Sequence, residues 1–101
     1  MSFVVNEAHG SPWDSSHPLQ EQRQWPEHAA FMNAVEAEGF VVLGGPLRDG
    51  ALLIVEAETV EAVRARLASD PWERSGLLVV ASVEPWEILL GNLQPRGPAS
   101  V

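Results

Sequence analysis

Two stretches of five residues, 51–55 and 77–81, contain no polar side chain, and they constrain the fold more than any other feature of the sequence. Their length and their content of Leu, Ile and Val predict strands. Successive side chains of a strand point to opposite faces of its sheet, so both faces of this sheet are predicted to be apolar. A sheet with one face in water alternates apolar and polar residues instead. Each face of the predicted sheet must therefore be covered.

The order of the strand and helix patterns predicts the fold class. We predict a helix from Pro26 to Glu38 and a second helix that begins at Thr59 and ends at Asp70, before a proline. The predicted strands cover residues 3–8, 40–43, 51–57 and 77–83, the last continuing loosely to residue 90. This order is the ferredoxin-like βαββαβ arrangement, an α+β fold in which a four-stranded antiparallel sheet carries two helices on one face.

The sheet face without helices is expected to pack on a second copy of the chain. An open apolar face would exceed the few hundred Å² that monomers usually expose, so the simplest cover is a two-fold homodimer. The alternative is that the long polar loop at residues 9–24 and the tail fold over this face. Residues 1–91 are predicted to form one domain, and residues 92–101 are predicted to be a flexible tail.

Composition excludes several kinds of chemistry and several partners. The 101 residues include no Cys, and all six basic residues are Arg, which excludes thiol nucleophiles and Schiff bases on lysine. Tyr is also absent, so the proton-transfer groups are three His and fourteen carboxylates. The net charge of −8 disfavours nucleic acid and anionic membranes as partners. A signal-peptide pattern and a transmembrane run are both missing, so a cytoplasmic location is expected.

His28 is the most informative single residue. Together with Phe31, Met32 and Val35 it follows the spacing of a buried helical stripe, close to the start of the helix. The positive end of the helix dipole and burial both favour the neutral imidazole, which a general base requires. The alternative is a core histidine that is satisfied by one hydrogen bond.

Asp70 is the carboxylate that we expect to orient this imidazole. It stands at the predicted end of the second helix, where an acidic side chain opposes the helix dipole, so stability alone does not explain it. The alternative is a turn-forming aspartate before Pro71 that pairs with Arg66. Trp25 and Trp72 are close in sequence to His28 and Asp70, and we expect them to line an apolar pocket. Tryptophans of small domains also serve simply as core or interface residues.

A bend or bulge is predicted at residues 44–46, Gly-Gly-Pro, because proline cannot donate to a central ladder. The two glycines let a ligand approach the backbone closely, but the segment opens no helix and is therefore not a phosphate loop. The alternative is a bulge beside a hairpin. His9, His17 and His28 lack the spacing of metal ligands, so no metal site is predicted.

Five short segments, in order along the chain, resemble the YCII-related family of the dimeric α+β barrel group. They lie at residues 25–32 (Trp-Pro-Glu-His-Ala-Ala-Phe-Met), 38–47, 56–57, 67–72 and 83–86. The resemblance implies a ferredoxin-like protomer, a homodimer with its sheets face to face, and a site built on a His–Asp pair, here His28 and Asp70. It also implies dehydrochlorinase-type or isomerase-type chemistry on small hydroxylated aromatic or lactone-like compounds. Many members carry an Arg three residues before the histidine, where this chain has Trp25.

Three functional hypotheses follow. In the first, His28 removes a proton from a small molecule without a cofactor, Asp70 orients the imidazole, and Arg23 or backbone N–H groups stabilise the oxyanion. In the second, the chain is a non-catalytic small-ligand binder or accessory subunit. In the third, it is a structural dimer module in which both residues belong to the core and a turn. The predicted ligand contacts are Arg23, Trp25, Gly45, Pro46, Trp72 and Trp13.

Overall fold

Four strands and three α-helices make up residues 1–91, the part of the chain that the computed structural model describes; the predicted tail at residues 92–101 lies outside the described residues. In chain order the elements are β1 (Ser2–His9), α1 (Trp25–Ala37), β2 (Val41–Leu47), β3 (Gly50–Glu56), α2 (Val60–Leu67), α3 (Pro71–Ser75) and β4 (Leu78–Pro85). The loop between β1 and α1 contains one turn of 3-10 helix, Leu19–Glu21. No helix within residues 1–91 has the length and apolar character that a bilayer span requires.

The sheet has the strand order β2-β3-β1-β4, and every neighbouring pair is antiparallel. The first strand of the chain therefore lies in the middle of the sheet, between β3 and β4. Helical connections join β1 to β2 and β3 to β4. This is the ferredoxin-like arrangement, so the α+β class predicted from the sequence is confirmed.

The main core lies between the sheet and the helices α1 and α2. Phe3 and Val5 of β1 point into it and are 1% and 0% exposed, and Val63 and Leu67 of α2 are both 0% exposed. Burial of each such side chain contributes about 1.5–3 kcal/mol. Thr59 begins α2 as predicted, because its hydroxyl oxygen accepts the backbone N–H three residues later at 3.0 Å.

The strand β2 is longer than predicted, because it continues through Gly44, Gly45 and Pro46 to Leu47. The bend predicted at residues 44–46 is therefore wrong. An edge strand accepts a proline that a central strand would not, and β2 is at the edge of the sheet. The irregularity of the ladder lies earlier, between residues 41 and 43.

The predicted second helix is in fact two helices. α2 ends at Leu67, α3 begins at Pro71, and Asp70 is the N-cap of α3. Pro71 prevents the continuation of α2 and at the same time suits the first turn of the next helix. α3 ends at Gly76, whose φ of 82° lies in the left-handed region that glycine adopts freely. The prediction that Asp70 stands at a helix C-terminus is therefore wrong.

The sheet face without helices is apolar over β2 and β3 and more polar towards β4. The register aligns Leu43, Ile54 and Val4 across three neighbouring strands on this open face. Towards β4 the same face carries Asn6, whose Nδ2 donates to Ser82 Oγ at 3.4 Å. The prediction of an apolar second face therefore holds for one half of the sheet.

Residues 86–90, which follow β4, lie beside the apolar half of the open face, where Trp86 and Ile88 line a shallow hollow with β2 and β3. The long loop before α1 lies on the helix side of the sheet instead, where its Trp13 packs against the buried cluster that contains Trp72. The loop therefore does not cover the open face, contrary to one alternative drawn from the sequence.

Candidate active site

The start of α1 places His28 in the first helical turn. Gln24, just before the helix, has a left-handed backbone with a φ of 62°, and its carbonyl accepts the backbone N–H of His28 at 2.9 Å. Pro26 takes a first-turn position, where its missing N–H is not needed. His28 and Val35 are the buried residues of α1, and His28 is 8% exposed. The predicted helical stripe therefore directs the imidazole inwards.

Asp70 contacts His28 across 42 positions of sequence. His28 Nδ1 lies 2.9 Å from Asp70 Oδ1 and 3.0 Å from Oδ2. Asp70 is 1% exposed, and its Oδ1 also accepts the backbone N–H of Trp72 at 3.0 Å. The same carboxylate therefore caps α3 and holds the imidazole. Because an aspartate is favourable at an N-cap, its position has a structural reason that the sequence argument from the helix dipole missed.

The contact with Asp70 fixes the tautomer of the neutral imidazole. Nδ1–H donates to the carboxylate, so Nε2 carries the lone pair. Nε2 makes no hydrogen bond to any of the described residues, and His28 lines a cavity. The arrangement offers a basic nitrogen at the edge of that cavity.

Trp72 holds one face of the imidazole. The two rings stack with their centroids 3.8 Å apart and an interplanar angle of 6°. Trp72 is 0% exposed, and its Nε1–H donates to the backbone carbonyl of Arg23 at 2.6 Å. The Trp25 ring centroid lies 6.0 Å from that of His28 and 5.8 Å from that of Trp72. With Asp70 at Nδ1 and Trp72 on its face, the imidazole has little freedom to rotate.

The loop between β1 and α1 forms an ordered wall of the site. Gln22 is 5% exposed, and its Nε2 donates to the backbone carbonyls of Asp14 and His17 at 2.7 Å and 3.0 Å. Trp13, early in the loop, meets Trp72 edge-on with ring centroids 5.3 Å apart. The loop therefore places the Trp13 ring at the site. The buried side-chain amide of Gln22, which was not predicted, stabilises the loop by hydrogen bonds to its backbone.

A cavity of about 530 Å³ lies between the helix α1, the strands β2 and β3, and this loop. Five of the six predicted ligand contacts line it, namely Trp13, Trp25, Gly45, Pro46 and Trp72. Arg23 does not line it: the residue is exposed and reaches the site only through the carbonyl that binds Trp72. Among residues 1–91, the arginine at the cavity is Arg48, in the turn between β2 and β3.

Two further carboxyls, Glu7 and Glu73, lie beside the His–Asp contact. Glu7 of β1 is 6% exposed and lines the cavity, and Glu73 belongs to α3. Burial raises the pKa of Glu7 to about 9, and a hydrogen bond with Glu73 and the charges of Glu73 and Asp70 act in the same direction. Burial also raises the pKa of Glu73, which the hydrogen bond with Glu7 lowers and the charge of Asp70 raises. With a pKa of about 9, Glu7 is protonated at neutral pH and can act as a hydrogen-bond donor.

Four titratable side chains thus meet in this region: His28, Asp70, Glu7 and Glu73. Groups of three or more His, Asp or Glu side chains arranged to hold a metal ion do not occur in residues 1–91. Of the four, His28 and Glu7 line the cavity, where they can exchange protons with a ligand and hydrogen-bond to it.

A family model of the YCII-related domain matches residues 7–87, which is more than half of the chain. The chain belongs to the YCII-related domain family. The resemblance found in residues 25–86 is therefore confirmed. No curated protein sequence was found to match this YCII-related domain.

A solved structure that resembles this YCII-related domain is 5-chloro-2-hydroxyhydroquinone dehydrochlorinase from Burkholderia phenoliruptrix AC1100, in complex with 2,5-dihydroxybenzoquinone. The sequence identity is 25% and the TM-score is 0.60, over 86% of this chain and 94% of that chain. The neighbour belongs to the dimeric α+β barrel group. The likeness supports the ferredoxin-like fold and a small-molecule, enzyme-like function.

Sequence reasoning missed Glu7, although a signal for it was present. Phe3, Val5 and Glu7 are alternate residues of β1 and are all buried. Because side chains of a strand alternate with a period of two, two inward apolar residues predict that the third side chain also points inwards. Glu73 had no comparable signal, because the helix α3 was itself not predicted.

Proposed function

We propose that this YCII-related domain is a cofactor-independent enzyme of the lyase or isomerase type, which moves a proton on a small molecule. The observation that carries the proposal is the buried contact between His28 and Asp70 at the edge of a cavity of about 530 Å³. Burying polar side chains is costly, so a buried His–Asp pair beside an open cavity is typical of a functional site.

In this proposal His28 is the general base. Asp70 accepts the Nδ1–H and so keeps the lone pair on Nε2, which removes a proton from a hydroxyl or an activated carbon of the ligand. Asp70 then stabilises the imidazolium that forms. The stacked ring of Trp72 holds the imidazole plane, so little rotational entropy is lost when the ligand binds.

The proposed ligands are small oxygenated rings, such as hydroxylated aromatic compounds, quinones or lactones. Trp13 and Trp25 supply flat apolar walls on which a ring can stack, and Gly45 leaves space along β2. The cavity volume lies within the range of about 300–1,000 Å³ that small-molecule sites occupy. The related dehydrochlorinase was solved with a compound of this class, 2,5-dihydroxybenzoquinone.

We also propose that two copies of the chain form a homodimer through the open sheet face. Leu43 and Leu47 of β2 are 45% and 50% exposed on this face, and Trp86, which lines the same hollow, is 44% exposed. Large apolar side chains gathered on one surface are typical of an interface between copies. The dimeric nature of the related fold group supports the same arrangement.

The cytoplasmic location stays a prediction, for which the absence of Cys is the supporting observation. The expectation that nucleic acid is not a partner likewise rests on the net charge of −8.

Ligand screening followed by one substitution tests the proposed function. Thermal shift with small phenols, quinones, lactones and keto acids identifies compounds that bind, and each compound is then assayed for turnover by absorbance. His28→Gln preserves the size and polarity of the side chain but not its basicity. We expect this variant to lose about 10²–10⁴-fold in turnover and to keep its thermal shift with the ligand. Turnover equal to that of the wild type would exclude His28 as the base, and binding without turnover by the wild type would identify a non-catalytic binder.

A further inference from the structure

Glu7 is a buried acid that the proposed proton transfer does not use. It projects from the centre of the sheet, where the residues opposite it are Ala51 of β3 and Val80 of β4. Neither of these residues carries a charge, and no cationic side chain within residues 1–91 forms an ion pair with Glu7. A carboxylate retained only for stability would need such a partner at this burial.

The titratable groups that face Glu7 from the helices are two carboxyls and one imidazole. Glu73 and Asp70 act on it from α3 and its N-cap, and His28 lines the same cavity from α1. Oε2 of Glu7 and Oε2 of Glu73 are both buried, and neither accepts a hydrogen bond from a donor among the described residues. Burial and the negative charges of Glu73 and Asp70 all disfavour the ionised form of Glu7, the more buried of the two glutamates, so Glu7 keeps a proton at neutral pH.

We propose that Glu7 is the oxyanion donor of this site, a neutral carboxyl that donates a hydrogen bond to a carbonyl, enolate or phenolate oxygen of the bound ring. The inference deepens the proposed function and rests on it. Without a ligand, protonated Glu7 donates a hydrogen bond to Glu73, and a ligand oxygen that enters the cavity replaces Glu73 as the acceptor. Glu73 is then a positioning residue, because its negative charge keeps Glu7 in the neutral form.

A neutral carboxyl at Glu7 supplies the hydrogen-bond donor that proton removal by His28 requires. When His28 removes a proton, negative charge develops on the ligand, and a donor aimed at the oxygen that receives this charge stabilises it most in a water-poor site. Arg23, the cation predicted for this role, lies outside the cavity lining. A carboxylic acid that burial keeps neutral is an established way for a protein to supply such a donor. Base and donor come from α1 and β1, so a ligand between them is held from two sides.

The protonation of Glu7 is testable in the free protein. Side-chain carboxyl ¹³C NMR of the full chain is recorded against pH, and the Glu7 signal is assigned by its absence from the spectrum of Glu7→Gln. We expect one carboxyl that remains neutral at pH 7 and titrates near pH 9. In Glu73→Gln the midpoint moves to lower pH, because one neighbouring negative charge is gone. Titration of Glu7 in the ordinary acidic range would overturn the proposal whatever ligand binds.

Binding of 2,5-dihydroxybenzoquinone, measured by calorimetry, tests the donor role. Glu7→Leu removes the donor, and we expect about 10–100-fold weaker binding. Glu7→Gln retains a donor in its amide and is expected to keep most of the affinity. Glu58→Gln removes an exposed carboxyl outside the cavity lining and leaves the affinity unchanged. In the wild type the affinity falls as the pH rises through about 9, because ionised Glu7 cannot donate, and in Glu7→Gln this fall is absent.

The outcomes separate this inference from the proposed function. Equal affinities of the wild type and Glu7→Leu, with both chains folded by circular dichroism, would remove the role of Glu7 and leave the function of His28 standing. An equally large loss in Glu7→Gln and Glu7→Leu would identify a packing effect and also overturn the role. If the wild type does not bind the quinone, both the proposed ligand class and the role of Glu7 are contradicted. Glu7→Leu is expected to fold, because an apolar side chain suits this buried position.

Discussion

Substitution of Asp70 separates its two structural contacts. Asp70→Ala removes the acceptor for the backbone N–H of Trp72, and loss of an N-cap costs about 1 kcal/mol. The same change leaves the buried Nδ1–H of His28 without an acceptor, which costs about 1–3 kcal/mol more. We therefore expect the free energy of unfolding to fall by about 2–4 kcal/mol.

Asp70→Asn keeps an oxygen for both contacts, and asparagine is as good an N-cap as aspartate. We expect a loss of stability below about 1 kcal/mol, but a clear loss of turnover, because the amide has no charge to stabilise an imidazolium. Thr59→Ala is the matched control, since it removes the N-cap of α2 at an exposed position and should cost about 1 kcal/mol.

Urea unfolding, followed by far-ultraviolet circular dichroism, measures the loss of stability of Asp70→Ala, Asp70→Asn and Thr59→Ala relative to the wild type. If Asp70→Ala loses no more stability than Thr59→Ala, then the contact with His28 contributes nothing and the reasoning on the buried N–H is refuted. If Asp70→Asn loses as much stability as Asp70→Ala, then the negative charge of Asp70, and not its hydrogen-bond acceptor oxygens, stabilises the fold.

Three further predictions, tested by four substitutions, concern other parts of the structure. The pKa of Glu7 is about 9 in the folded chain against an ordinary value of 4.5. Between these two values the folded chain holds a proton that the unfolded chain releases, so the free energy of unfolding declines as the pH rises through this window. Glu7→Gln should flatten that decline in urea unfolding, and an unchanged decline would contradict the assignment. Leu43→Glu should reduce the mass by light scattering from twice 11.0 kDa to 11.0 kDa, and a mass that stays doubled would locate the interface elsewhere. Gly44→Ala should cost about 1 kcal/mol, because its Cβ would lie 2.6 Å from Cδ2 of Leu53, a core side chain that is 3% exposed and must shift to make room. Gly45→Ala meets nothing within 4 Å, so equal losses of stability in the two glycine variants would refute the packing argument.

Local rules were sufficient to predict the order of the four strands and of the helices α1 and α2, and the burial of His28. The apolar runs of β3 and β4 have the length of strands, and the spacing of His28 and Val35 has the period of a helix. The contact between His28 and Asp70 was expected from chemistry and from the family resemblance, since no local rule links two residues 42 positions apart.

The parts that the sequence did not predict depend on contacts distant along the chain. The segment Asp70-Pro71-Trp72 contains signals that end one helix and begin another, and the outcome depends on burial of Trp72, which is 0% exposed. Gln22 is buried because two backbone carbonyls of the loop accept its amide hydrogens, and average preferences place such a residue in water. β2 passes through Pro46 because the strand lies at an edge, and strand order is a property of the assembled sheet.

The positions of the four tryptophans divide the intrinsic fluorescence of this domain into two signals, one from the cavity and one from the open sheet face. Trp13, Trp25 and Trp72 all line the same cavity, whereas Trp86, the last of the four tryptophans, lies beside the open sheet face and is 44% exposed. A quinone in the cavity would quench the first three by energy and electron transfer, and contact between two copies would shift the emission of the fourth to shorter wavelength. Ligand occupancy and self-association are therefore expected to change different parts of one fluorescence spectrum, and Trp86→Phe would isolate the first from the second without any attached dye.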